Sequence, residues 1–275
     1  MPERGWNTML CREIIQVIEA AYPREAALDF DNVGLLAGRA EKEVNRVYLA
    51  LDATDAVIDR AVSAGADMLI THHPLIFSPH KRVTDEDFVS RRVVKLIQND
   101  ISYYAMHTNY DVLGMAELAE KILGLEDTEI LDVTMEKDGK EEGIGRAGKL
   151  PHPMTLGECG RYVKHKLELG SVKVFGDLDS TVSRAAVSPG SGKSEIPEAI
   201  AKGVDVLITG DIGHHDGLDA VEQGLAVIDA GHYGTEYIFI EDMKRFLEDK
   251  LPALEVITSP VIHPFQVLSD TESMK

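Results

Sequence analysis

Cysteine is nearly absent: Cys11 and Cys159 stand alone in 275 residues. Two thiols so far apart make no disulfide framework, so a reducing compartment, the cytoplasm, is expected. Positive charge is scarce as well, with 28 Lys and Arg against 47 Asp and Glu, a formal net charge of −19. That deficit opposes sequence-independent binding to nucleic acid, which draws its free energy from neutralising phosphates with many cations. Long apolar runs are missing: no stretch approaches the roughly 18 uninterrupted apolar residues of a transmembrane helix. The first residues, MPERGWNTMLCREI, carry charges where a signal peptide would have its apolar segment. No membrane association is expected. Low-complexity tracts are lacking too, and with 44% hydrophobic and 27% charged residues the composition is that of an ordinary globular protein with a sizeable core.

What is present is one unit written twice. A helical pattern leads into GADMLITHH at 65–73 and, in the second copy, into GVDVLITGD at 203–211. Each copy continues to a strand that runs into His107-x-x-x-Asp111 or His232-x-x-x-Glu236. The helices before MLIT and VLIT match position for position: Ile58 with Ile196, Ala61 with Ala199, Gly65 with Gly203. MLIT is a short apolar strand of the kind buried on both faces of a sheet, and Gly65 is placed to end the preceding helix. Before the repeat, Asn7 or Thr8 is expected to cap a helix carrying Ile14, Ile15, Val17 and Ile18 on one face, and Pro23 to end it. VNRVYLALD at 44–52 reads as a strand, with Thr54 or Asp55 capping the helix after it.

Helices are expected near 86–99 and 115–123, and over TLGECGRYVKHKL and about 235–249. Strands are expected at ISYYAMH, SVKVFG, SRAAVSP and LAVIDAGH. EKDGKEEGIGRAG reads as a hairpin or a mobile loop, and the segment with His214 and His215 as a loop. The fold class is therefore α/β: two similar halves from an internal duplication, 1–126 and 127–275, an arrangement in which a two-fold fold would put a shared site. The last helix and strand are left free to pack back on the first half. Strand order does not follow from the pattern.

His72 and His73 lie just past a buried strand, on the carboxyl edge where α/β sheets place their ligands. Taken singly, such a pair is equally a turn with one ring packed and one in solvent. Asp111 and Glu236 could each be a carboxylate near a helix N-terminus, stabilising the dipole by about 0.3–1 kcal/mol. Together, three histidines and two carboxylates at strand ends suffice for two divalent cations, with water at the open positions. Nitrogen and oxygen donors without thiolate suit Zn, Mn, Fe or Co. His214 and His215 are candidates for a proton shuttle or a substrate donor. PGSGKS at 189–194 looks like a phosphate loop, but Val187 stands where the Walker pattern requires glycine, so an ATPase is not expected. Its backbone amides could still cradle an anion, or it could be a structural tight turn.

THHPLIF, HTNYD, ITGDIGHHD and DAGHYGTE, in this order, closely resemble the YbgI-like or Nif-three-like dinuclear metal-centre family, whose members are named type-2 homologues of GTP cyclohydrolase I. The resemblance covers essentially the whole chain. It implies two α/β halves with the metals between them, assembled as a toroidal homohexamer. It also implies that His72, His73, Asp111, His232 and Glu236 are the metal ligands, with Glu236 as a bridge. His107 then falls to a supporting role, orienting a ligand or binding a metal-bound water. The implied activity is metal-dependent hydrolysis of a nucleotide or other phosphorylated small molecule. In the GTP cyclohydrolase-like form, metal-activated water attacks the purine C8, with His215 or His107 moving protons. The competing reading is a non-catalytic, metal-dependent regulatory or interaction protein assembled as a ring.

Overall fold

The computed structural model describes residues 9–268, which group into two compact units. The first holds the described residues up to 113 together with Ile238–Pro260; the second holds Gly114–Tyr237 and the described residues from 261 onward. The helix at 116–123 thus groups with the second unit, which differs from the expected division after residue 126.

In chain order the first unit contains β1 (Met9–Leu10), α1 (Cys11–Ala21), β2 (Gly34–Ala37), β3 (Glu43–Val44), β4 (Arg46–Ala50), α2 (Asp55–Ser63), β5 (Met68–Thr71), α3 (Phe88–Gln98), β6 (Ser102–Ala105) and α4 (Thr108–Tyr110). The second contains α5 (Ala116–Leu123), β7 (Glu126–Lys137), β8 (Lys140–Thr155), α6 (Leu156–Lys166), β9 (Lys173–Phe175), β10 (Thr181–Ser191), α7 (Ile196–Ala201), β11 (Val206–Gly210), α8 (His214–Glu222), β12 (Ala226–Asp229) and α9 (His232–Glu236). The chain then returns to the first unit with α10 (Ile238–Lys250) and β13 (Glu255–Thr258).

The first sheet runs β13-β4-β5-β6-β2, all parallel except β2, which pairs antiparallel with β6. Every residue of β5 and β6 is buried, as expected for parallel strands covered on both faces. Tyr48, Ile58, Leu69, Leu96 and Tyr103 form the core on one side, and α10 buries Phe239, Met243 and Leu247. Thr54 caps α2 by accepting from the Val57 amide at 3.2 Å, and Gly65, at φ +64°, lets the chain turn off the helix. Asn7 and Thr8 lie outside the described residues. At the start of α1 the Glu13 carboxylate accepts from the Leu10 amide at 2.7 Å, satisfying one donor of the helix N-terminus.

The second sheet runs β7-β8-β10-β11-β12-β9, with β10, β11 and β12 parallel and the flanking pairs antiparallel. EKDGKEEGIGRAG, open between hairpin and loop in the sequence, lies in the long β7–β8 hairpin, turned by Asp138 and Gly139 at φ +53° and +75°. Two expectations change. His214 and His215 start helix α8 instead of lying in a loop. Only Gly217 and Ala220 of α8 are buried, so its sequence has almost no apolar stripe. Its packing runs through Gly217, where a Cβ would collide with the Phe175 ring. His232, expected at the end of a strand, is the first residue of α9, because Gly231 at φ +77° breaks the chain after β12.

Candidate metal centre

In the first unit the donors gather beyond the carboxyl ends of β5 and β6. The turn after β5 is pinned by one buried phenol. Tyr103 OH accepts from the Leu75 amide at 2.8 Å and lies 2.7 Å from Thr71 Oγ1 and 3.0 Å from the His73 carbonyl. Burial pushes the Tyr103 pKa up, so its hydroxyl stays protonated. This clamp lets consecutive histidines converge instead of splaying to opposite faces. The ring nitrogens of His72, His73 and His107 include one from each residue that lie within 4.8 Å of one another.

Each imidazole is held differently. His72 is fully buried, with its ring 5.3 Å from Phe239 and its Nε2 3.4 Å from Asp111 Oδ1. His73 Nδ1 is 2.7 Å from Asp52 Oδ1. If that bond is donated by Nδ1–H, Nε2 is the nitrogen left for a cation. His107 Nδ1 makes the same bond to Asp31 at 2.8 Å. Burial would raise the Asp31 pKa, but hydrogen bonds from His107 and Thr108 outweigh it and hold the carboxyl at about 2. Asp111 opens the π-helical turn Asp111–Met115 that leads into α5, an irregularity common at functional sites. Behind it, Tyr110 donates to Asp242 Oδ2 at 2.6 Å and packs on Phe239 and Tyr22.

In the second unit His232 and Glu236 are one helical turn apart on α9, with His232 Nε2 3.0 Å from Glu236 Oε2. Glu236 is 3% exposed. Its carboxylate has room because Gly190 lacks a side chain: a Cβ there, at φ +78°, would collide with Glu236 Oε1. The Gly190 amide donates to Thr235 Oγ1 at 2.9 Å, tying the end of β10 to α9. His232 Nδ1 is 2.8 Å from Asp211 Oδ2.

The repeated MLIT and VLIT strands set Met68 against Val206 as counterparts, and so His72 against Gly210 and His73 against Asp211; the β10–β11 register shifts between Val187 and Ser191, so β10 offers no position-for-position match to Asp52. Gly210 cannot carry a side chain, since the backbone of Gly231 and His232 fills the place of its Cβ. Thus the position that bears a histidine in one sheet admits only glycine in the other. The three carboxylates on the imidazole Nδ1 atoms, Asp31, Asp52 and Asp211, were not found from the sequence. Asp31 is more than seventy positions from His107, and no spacing announces such a pair. His215 and His214 are exposed, side by side on the first turn of α8, with rings 5.1 Å apart.

Imidazole nitrogens and carboxylate oxygens converging without thiolate fit hard or borderline divalent cations, and buried His72 and Glu236 would be costly side chains in a site with no such task. The Duf34/NIF3 (NGG1p interacting factor 3) family model matches residues 9–264. The chain belongs to that family. Among relatives, it is 38% identical over 249 residues to the GTP cyclohydrolase 1 type 2 homolog of Clostridium acetobutylicum, covering 90% of this chain and 92% of that one. The Streptococcus pneumoniae protein of the same name is 36% identical over 261 residues, covering 91% and 96%. Among solved structures, a Bacillus cereus protein related to NIF3 superposes with a TM-score of 0.89 at 27% identity, over 95% of this chain and 99% of that one. Reduced HcgD from Methanocaldococcus jannaschii gives 0.78 at 32% identity, over 91% and 98%. As in these Duf34/NIF3 proteins, the fold is mixed α/β with several sheets. Among the described residues, no helix is long and apolar enough to cross a membrane.

Proposed function

We propose that this Duf34/NIF3 protein binds two divalent cations and acts as a metal-dependent hydrolase on a nucleotide or other phosphorylated small molecule, in its specific form by GTP cyclohydrolase-like chemistry. The observation that carries the reading is the donor set: His73 and His232 held at Nδ1 by Asp52 and Asp211, and the Nε2 atoms of His72 and His232 facing Asp111 and the buried Glu236. The shared name of the relatives supports the cyclohydrolase form. His72, His73, Asp111, His232 and Glu236 are the proposed ligands, with Glu236 as the bridge, and Zn, Mn, Fe or Co as the metal. Five ligands for two cations leave positions open to water and substrate. Once bound, the cations would lower the pKa of a shared water toward neutrality and stabilise charge at the attacked centre.

The protein's own groups do the rest. Asp52 and Asp211 fix which ring nitrogen His73 and His232 present, and Tyr103 fixes the turn that carries His72 and His73. His107, held by Asp31, is the proposed acceptor of a hydrogen bond from water at the site, and exposed His215 the proposed proton carrier to solvent. Duplication as the origin of the two units, and assembly as a toroidal homohexamer, belong to the same proposal; sedimentation of the purified protein tests the assembly.

Elemental analysis of the purified protein should give about two divalent ions per chain, lost in His73→Ala and in Glu236→Ala. Unchanged metal content in both variants would overturn the ligand assignment. Turnover of GTP and of a generic phosphoester under matched metal supplementation tests the chemistry. A fully loaded protein inert to both would replace the hydrolase with a metal-dependent regulatory protein.

A further inference from the structure

Asp211 is one of five non-glycine residues in the left-handed region among the described residues, with Asp100, Asp127, Asp138 and Glu168. Its φ is +56°, in the left-handed region that an L side chain enters only at a cost. Its side chain is 58% exposed, so it contributes little burial. Among the described residues, the hydrogen bond its carboxylate makes is to His232 Nδ1, at 2.8 Å. Glycine would serve this backbone better, and the residue before it, Gly210, already is one because its Cβ has no space. What an aspartate adds at this strained, exposed position is its bond to His232, and that bond calls for a reason.

Matching of the two sheets supplies it. Asp211 stands where the first sheet has His73, a proposed ligand held by the Asp52 carboxylate just past β4. A side chain at 190 is forbidden by the Glu236 carboxylate. The orienting carboxylate of the second unit stands at the end of β11, whereas that of the first, Asp52, follows β4. It holds the histidine that follows β12 instead of one that follows β11.

We infer that Asp211 is a positioning residue: it accepts from His232 Nδ1–H and so directs Nε2 toward Glu236, completing a nitrogen–oxygen pair for a divalent cation. The inference rests on the proposed metal reading and adds to it a residue outside the ligand set. Strain in the metal-free chain is exchanged for a fixed ligand tautomer, the arrangement by which supporting carboxylates typically contribute tenfold to hundredfold in metal affinity.

Three proteins separate this role from a structural one: wild type, D211G and D211N, each stripped of metal and titrated with zinc and with manganese against a chromophoric chelator, with the unfolding midpoint of the metal-free form measured alongside. D211G relieves the left-handed strain and removes the acceptor. Its metal-free midpoint should equal or exceed that of wild type while its affinity for at least one metal falls about tenfold or more. D211N tolerates the same backbone and keeps an oxygen for Nδ1–H, so it should bind within a few-fold of wild type. Wild-type affinity in D211G overturns the inference and leaves the metal reading standing. A lowered metal-free midpoint in D211G that tracks its loss of affinity also overturns it, as a structural role. Wild type that binds neither metal overturns the metal reading itself, and Asp211's role with it.

Discussion

Glu195 closes the 3-10 turn Gly192–Glu195 ahead of α7, is 4% exposed, and has Oε2 buried with no hydrogen-bond partner. Burial is the main reason its pKa is raised from 4.5 to about 7; Asp132 and Glu198 push the same way, and a bond from Ser194 opposes them. The native state therefore binds more protons than the unfolded chain between about pH 4.5 and 7, and its stability falls as pH rises through that window. Below the window the group costs nothing; above it the full cost applies. A difference of about 2.5 pH units at roughly 1.36 kcal/mol each sets a ceiling of about 3 kcal/mol, and relaxation of the turn brings the expected value to about 1–3 kcal/mol. Glu195→Gln, neutral and of the same shape, should be more stable than wild type by that amount at pH 8 and equal to it within about 0.5 kcal/mol at pH 4. Urea unfolding of both proteins from pH 4 to 8.5 measures the difference, read on the transition that carries the second unit if the two units unfold separately. A glutamine variant less stable at pH 8, or a difference that does not change with pH, would refute the reasoning.

Gly190→Ala places a methyl group against the Glu236 carboxylate at a φ of +78°, and should weaken metal retention at least about tenfold while costing about 1–2 kcal/mol of stability; elemental analysis after dialysis against chelator checks the first and calorimetry the second. Asp52→Ala removes the acceptor of His73 Nδ1 and should weaken binding by about tenfold to hundredfold in a chelator competition, with little change in the metal-free unfolding midpoint. Tyr103→Phe strips the hydroxyl from the turn after β5 and leaves the Leu75 amide without its acceptor; a loss of about 1–3 kcal/mol is expected in urea unfolding.

The elements that could be read from the chain are those whose burial follows a regular period. β5 and β11, buried on every residue, stood out as MLIT and VLIT, and Gly65 and Gly203 marked the ends of the helices before them. Helix α8 was missed because it has only two buried residues and is anchored by a glycine under Phe175, a contact that leaves no periodic trace. The one-residue offset that puts His232 on α9 comes from Gly231, whose φ of +77° is a choice made by the packed backbone around Gly210. Among the candidate site groups, histidines and carboxylates at strand ends declared themselves by type and place. Asp31, Asp52 and Asp211 did not, since a surface aspartate at a strand end or in a loop is common in any acidic protein.

The sequence by itself determined the family, the repeated strand and helix units, and the residues able to donate to a metal, because these depend on side-chain chemistry and on periodicities of two and 3.6 residues. Only the tertiary structure decided how those donors are presented. Which ring nitrogen faces inward, which position must be glycine and which aspartate is held in a strained backbone are set by contacts between residues far apart in the chain. Asp31 reaches His107, Gly190 yields to Glu236, and Asp211 holds His232. Distances of that kind are fixed by packing density and strand register, and neither is written in local sequence.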